Sequence, residues 1–155
     1  MRRELDTGDS TEVALSKNGL SFTEFAASPD GKQVAYTVNG LDQGRETRYL
    51  AIMPAAGGEP REIHRSNRTD GASRYNALEW TPDQKYLLFV EEEGDGSAIW
   101  RVPAAGGAAE KIGIRMKARI KSPFIHPDGK SIFFTVVEAD NNEVWAMENF
   151  LPKAK

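Results

Sequence analysis

The sequence predicts an all-β repeat protein built from four-stranded antiparallel units, about three per chain. Two observations carry that prediction. A Pro-Asp turn followed by an apolar, β-prone run occurs three times: Ser28 to Val38 (SPDGKQVAYTV), Thr81 to Val90 (TPDQKYLLFV) and His126 to Val136 (HPDGKSIFFTV). Four residues after each Asp stands an aliphatic residue (Val34, Leu87, Ile132), and six after it an aromatic one (Tyr36, Phe89, Phe134). Alternation with period 2, repeated in one register, marks a strand used three times. The second observation is a Gly turn placed five residues before a β-branched residue, in Gly8 and Val13, Gly58 and Ile63, and Gly107 and Ile112. Gly-rich turns between short apolar runs are hairpin signals.

The other strands fall between these landmarks. Phe22 to Ala27, Asn76 to Trp80 and Lys121 to Ile125 precede the three Pro-Asp turns. Tyr49 to Met53, Ala98 to Val102 and Glu143 to Met147 follow them. Trp100 and Trp145 each lie 17 residues after their Asp and are expected to pack between units as core. The matching residue of the first unit, Ala51, lies 21 residues on, so the connection Asn39 to Thr47 is read as a loop about four residues longer. Thr11 to Leu15 reads as one further outer strand. Lys111 to Lys121 reads as extended and not helical, because its basic and apolar residues alternate with period 2. No helix is expected.

Units of this size, with Pro-Asp aspartates 53 and 45 residues apart, match one propeller blade of four strands. The repeats run over approximately 17–64, 72–113 and 118–150 of a single domain spanning 1–155, with 1–16 giving an outer strand to a terminal blade. Three blades are fewer than the four to eight of a closed ring. Two arrangements fit: a homodimer forming a six-bladed ring, in which the N-terminal strand finishes the partner's last blade, or the C-terminal portion of a longer propeller. The need to cover open strand edges favours self-association.

Composition narrows the function classes. The 23 acidic side chains outnumber the 20 basic ones, which argues against bulk nucleic-acid binding. No apolar run approaches the roughly 20 residues that cross a bilayer. The opening MRRELDTGDS has no apolar stretch and is not a signal peptide, so the chain reads as cytoplasmic as it stands, or periplasmic if an exported parent carries it. With no cysteine there is no disulfide, thiolate or Cys-metal chemistry.

Candidate sites resolve mostly into structure. The Pro-Asp-Gly residues read as turns: Pro presets φ, Asp bonds its own backbone, and Gly accepts positive φ. The two histidines, His64 and His126, occupy unequal repeat positions and make no metal pair. His126 stands where Ser28 and Thr81 do and reads as a turn cap. No G-x-S-x-G elbow and no phosphate loop is present. The runs Glu91 to Asp95 and Asp140 to Glu143 read as solvated hairpin tips, and the sequon Asn67-Arg68-Thr69 as coincidence. No catalytic residue, metal ligand or cofactor is expected. One binding candidate stands out. Arg115, Lys117, Arg119 and Lys121 share one side of the extended connection between blades, on a disc face, and Arg65, Arg68 and Arg74 occupy the corresponding connection before it. Such a set suits a peptide or anionic ligand.

The string S/T-P-D-G-K-x-(I/V)-x-(Y/F), its following strand and the Gly-Gly turn resemble the repeat of TolB-like β-propellers. The same repeat is similar to those in the propellers of prolyl-oligopeptidase-type peptidases and tricorn-like proteins. The resemblance runs from about Leu5 to Pro152, and the ending EVWAMENFLP is similar to that of many bacterial propellers. Gln84 departs from the turn Gly, and His126 from Ser. The resemblance implies a β-propeller that binds a protein or ligand without catalysis. The alternative it implies is the non-catalytic propeller portion of a larger enzyme or sensor, associated with a peptidase or kinase.

Overall fold

The computed structural model describes residues 2–3, 5–12, 20–66, 75–138 and 142–148. Strands β1 (Arg2–Arg3) and β2 (Ser10–Thr11) form a short pair. The first blade runs β3 (Leu20–Ala27), β4 (Gln33–Asp42), β5 (Arg45–Pro54) and β6 (Arg61–Arg65). The second runs β7 (Tyr75–Trp80), β8 (Tyr86–Glu93), β9 (Gly96–Pro103) and β10 (Glu110–Met116). The third has β11 (Arg119–Ile125), β12 (Ser131–Val137) and β13 (Asn142–Glu148). Each sheet is antiparallel, with its strands side by side in chain order. No helix occurs among the described residues. Of the expected outer strand Thr11 to Leu15, residues 13–15 lie outside the described residues, as do the sequon and 139–141.

The Pro-Asp turns are built as their chemistry requires. Ser28 Oγ donates to Asp30 Oδ1 (2.7 Å), which also accepts from Lys32 N (3.1 Å), while Gln33 N donates to Ser28 Oγ (2.9 Å). Thr81, Asp83, Lys85 and Tyr86 repeat that arrangement at 2.6, 3.1 and 3.0 Å. These bonds lower the carboxyl pKa of Asp30, and at Asp83, where burial acts to raise it, they bring it down in net together with the Lys85 charge. In the third turn His126 replaces the hydroxyl, its Nδ1 lying 3.3 Å from Asp128 N and 3.0 Å from Asp128 Oδ1. Gln84 occupies the turn-glycine position at a φ of 60°, the left-handed region where a side chain is strained.

Alternation along β8 explains where the cores sit. Neighbouring side chains of a strand point to opposite faces. Leu87 and Phe89 join Ala35, Leu50, Ile52 and Ile63 of the first blade, together with Tyr75, Leu78, Trp80 and Val102. Leu88 and Val90 join Ile99 and Ile114, and across the next boundary Ile120, Ile125, Ile132, Phe134 and Val136. All four residues from Leu87 to Val90 are fully buried, because the second blade has a neighbour on each side. Polar clamps cross the first boundary: Trp80 Nε1 donates to Ala26 O (3.0 Å), and Arg61 to the carbonyls of Ala104 (2.6 Å) and Ala105 (2.9 Å).

Two expectations about the strands and their tryptophans are corrected. The extra residues of the first blade form no loop. They lengthen the β4–β5 ladder to Asp42 opposite Arg45, closed by Gln43 and Gly44 at φ 50° and 78°. Positive φ at both positions is the type I′ turn that suits strand twist. Trp145 is 44% exposed and not a core residue, although its position opposite Phe134 matches that of Trp100 opposite Phe89. Trp100 has Lys111 of an outer strand across from it, with Nζ 5.0 Å from the ring centre. Among the described residues the third sheet has no such fourth strand.

The outward faces of the end blades carry exposed apolar groups. On the first blade Phe22, Phe25 and Tyr36 form a ring cluster with centroids 5.0 to 6.2 Å apart; Phe25 is 61% exposed, while Tyr36 is buried in a third cluster with Val38, Ala51 and Met53. On the third, Phe124, Phe133 and Val144 lie on the face opposite Ile132 and Phe134 and are all exposed.

Between the first two blades, His64 sits against Phe89 (5.4 Å) and Tyr75 (6.0 Å). Burial holds its pKa below the ordinary 6.5, opposed by the charges of Glu91 and Glu62. Glu91 is itself buried, 3.3 Å from Ser66 Oγ, and is not the solvated tip residue expected.

Two predictions follow from this packing. Phe89→Ala should cost about 3–5 kcal/mol in urea unfolding. Because the unfolded chain protonates His64 before the folded one does, stability should fall as pH drops through 6.5 toward the lowered folded value. Urea midpoints at pH 7.5 and 5.5 should therefore differ less in His64→Gln than in the natural chain.

Candidate binding face

The hairpin tips joining β4 to β5 and β8 to β9 lie at the same end of the blades as the connections from one outer strand to the next inner strand. The connection from β10 to β11 is held against the β8–β9 tip by two small residues. At Gly96 an added Cβ would lie 2.0 Å from Met116 O and 3.1 Å from Lys117 Cα, so only glycine allows this approach. Ser97, fully buried, donates through Oγ to Ala118 O (2.7 Å) and accepts from Ile120 N (2.7 Å). A buried hydroxyl satisfied on both sides fixes the local backbone.

The pinned connection presents Lys117 and Arg119 to a groove of about 650 Å³ between the second and third blades. Glu92, Asp95 and Glu138 line the same groove. Arg119 Nε lies 3.6 Å from Glu92 Oε1, and the Arg115 guanidinium donates to Asp95 Oδ1 (3.0 Å). Lys117 and Lys121 are exposed and make no ion pair among the described residues. Exposure alternates along the connection as expected, with the four basic residues outward and Ile114 and Ile120 inward.

The structure gathers part of the predicted set. Lys117 and Arg119 line the groove, Arg115 pairs with one of its walls, and Lys121 lies further along β11. Arg65 is engaged within its own blade: its Nε donates to Glu62 (2.9 Å), another nitrogen donates to Thr47 Oγ1, and its guanidinium covers the Tyr49 ring at 4.9 Å. Arg68 and Arg74 lie outside the described residues. Sequence reasoning missed the three acidic walls and the roles of Gly96 and Ser97. The one available signal was a glycine directly after the two-residue tip Gly94-Asp95, where the turn itself does not need it.

A second cavity of about 460 Å³ lies beside Ser21, Thr23, Asn39, Glu46 and Arg48. Many of its polar groups bond one another: Asn39 Nδ2 donates to Thr23 (2.7 Å), Thr23 meets Thr37 (2.5 Å), and Arg48 pairs with Glu46 (3.3 Å). Among the described residues no group of three or more His, Cys, Asp or Glu side chains is placed to hold a metal ion.

No family model matches the chain. It is 28% identical over 121 residues to the uncharacterized peptidase YuxL of Bacillus subtilis, a stretch that covers 76% of this chain and 17% of YuxL. It superposes on TolB from Acinetobacter baumannii with a TM-score of 0.69 at 20% identity, over 95% of this chain and 34% of TolB. A prolyl endopeptidase gives a TM-score of 0.66 at 18% identity, over 94% of this chain and 24% of that enzyme. The chain thus spans about a sixth of YuxL and about a third of TolB. These likenesses agree with the sheet order and the repeated turns, and the chain has the β-propeller fold of TolB, present here as three successive blades.

Proposed function

We propose that this chain is a non-catalytic binding segment of β-propeller type, which takes a charged peptide on the groove between its second and third blades. The observation that carries the reading is the pinned connection. Gly96 and Ser97 hold the backbone of residues 116–120 against a hairpin tip, so Lys117 and Arg119 meet the groove from fixed positions. Positioning charges in advance lowers the ordering cost of binding. Lys117 is available to an acidic side chain, and Arg119 is shared with Glu92 at the looser distance of 3.6 Å. The acidic walls restrict what fits, since a uniformly acidic ligand meets repulsion from Glu92, Asp95 and Glu138.

The ring is completed by self-association in this reading. The exposed Phe124 and Phe133 on the outward face of the third blade support it, because the internal boundaries bury the corresponding faces of the first and second blades. A second reading, a propeller portion serving a peptidase, is favoured by the likeness to YuxL. In that case the catalytic groups belong to other parts of the enzyme, and this chain gates or supports them.

The test uses a fluorescein-labelled peptide with alternating Glu and Gly residues, titrated at low and physiological salt. The natural chain should bind it with a salt-dependent affinity. Lys117→Glu combined with Arg119→Glu should lower that affinity by tenfold or more, with the thermal midpoint unchanged. Equal binding by the natural and doubly reversed chains would remove the reading.

A further inference from the structure

The groove between the second and third blades holds charges of both signs, and they differ in how far they are already engaged. Glu92 is engaged twice: it accepts from Asn76 Nδ2 (3.2 Å) and lies 3.6 Å from Arg119 Nε. Asp95 accepts from the Arg115 guanidinium at 3.0 Å. Two groups remain. Lys117 and Glu138 both line the groove and both are exposed. Neither makes an ion pair or a side-chain hydrogen bond among the described residues.

The fold fixes where these two stand. β11 and β12 pair with Ile120 opposite Val136 and Arg119 opposite Val137. One step further along that register sets Glu138 opposite Ala118, so Lys117 and Glu138 belong to neighbouring segments. Segments paired in this way run about 5 Å apart. On the Lys117 side the backbone is held by Ser97, bonded to Ala118 O and Ile120 N. On the Glu138 side it is held through Val137, which pairs with both Arg119 and Asn142. The groove thus presents one available cation beside one available anion. A uniformly acidic ligand satisfies Lys117 and meets Glu138 as a like charge. A uniformly basic ligand does the reverse. A ligand with both signs satisfies both groups and leaves the Arg119–Glu92 and Arg115–Asp95 pairs intact.

We infer that the segment taken by this groove is dipolar: an extended peptide in which an acidic and a basic residue stand two apart, the acidic one at Lys117 and the basic one at Glu138. The inference rests on the charged-peptide reading above and specifies its charge pattern. The spacing follows from strand geometry, since residues i and i+2 of an extended chain share a side and lie about 7 Å apart. Two long side chains on neighbouring segments can meet that span. Exposed ion pairs are individually weak, so the pattern selects among ligands more than it adds affinity.

The test uses three fluorescein-labelled peptides of one length, with Glu-Gly-Glu, Glu-Gly-Lys or Lys-Gly-Lys at the centre and glycine elsewhere. Each is titrated at low and physiological salt. For the natural chain the expected order is not monotonic in peptide charge: Glu-Gly-Lys binds about threefold or more tightly than either of the others. Glu138→Lys should move the optimum to Glu-Gly-Glu, and Lys117→Glu should move it to Lys-Gly-Lys, with the thermal midpoint unchanged in both. Tightest binding of Glu-Gly-Glu, or equal binding of all three, overturns the dipolar pattern and leaves the charged-peptide reading to the Lys117 and Arg119 reversal above. An optimum at Glu-Gly-Lys that neither variant moves overturns the assignment to Lys117 and Glu138. Tightest binding of Lys-Gly-Lys, or no salt-dependent binding of any of the three, overturns both readings.

Discussion

Burial of one strand on both faces is the constraint on which the rest depends. The run Leu87 to Val90 sends alternate side chains into two different cores and loses all contact with water. Each blade is a thin sheet with two apolar faces, and neither face is stable in water without a neighbour. The second blade has two neighbours and is the best covered. The first and third blades have one each. The third blade leaves Phe124 and Val144 exposed on its outward face, whereas the first buries Tyr36, Val38, Ala51 and Met53 there and leaves only the rim residue Phe25 largely exposed among its described aromatic residues. Stability in such an array is a sum of neighbour terms, so the ends are its weakest parts.

The same stacking creates the binding face. An outer strand must cross to the inner strand of the next blade, and that crossing runs beside a hairpin tip. Here Gly96 removes the side chain that would separate them, and Ser97 satisfies the backbone groups freed at the crossing. The result is a short stretch of loop with the fixity of a strand, carrying Lys117 and Arg119. Arg65 shows the contrast. At the corresponding blade edge it is absorbed by Glu62, Thr47 and the Tyr49 ring.

Much of the fold was legible because it rests on local rules. Period-2 alternation located the strands, and the Pro-Asp turns set their register through hydroxyl–carboxylate pairs that depend only on residues two to five apart. The features that escaped depend on distant partners. Trp145 has the same place opposite an aromatic residue of its sheet as Trp100, yet among the described residues only Trp100 has an outer strand beside it. Glu91 reads as one of three similar acids, yet burial beneath Ser66 separates it from the others. The extra residues of the first blade looked like loop by length alone, whereas Gln43-Gly44 places the turn and lets both strands grow. At the binding face the basic residues were legible by alternation. The acidic walls were not, since Glu138 lies on a different blade from Glu92 and Asp95.

Amide hydrogen exchange, resolved residue by residue at several protein concentrations, tests the neighbour-burial account most directly. The account predicts that the amides of Leu87 to Val90 open only with global unfolding, at every concentration. It predicts that those of β13 exchange faster in dilute samples and gain protection as concentration rises. Exchange at Leu87 to Val90 as fast as in β13 under all conditions would contradict it.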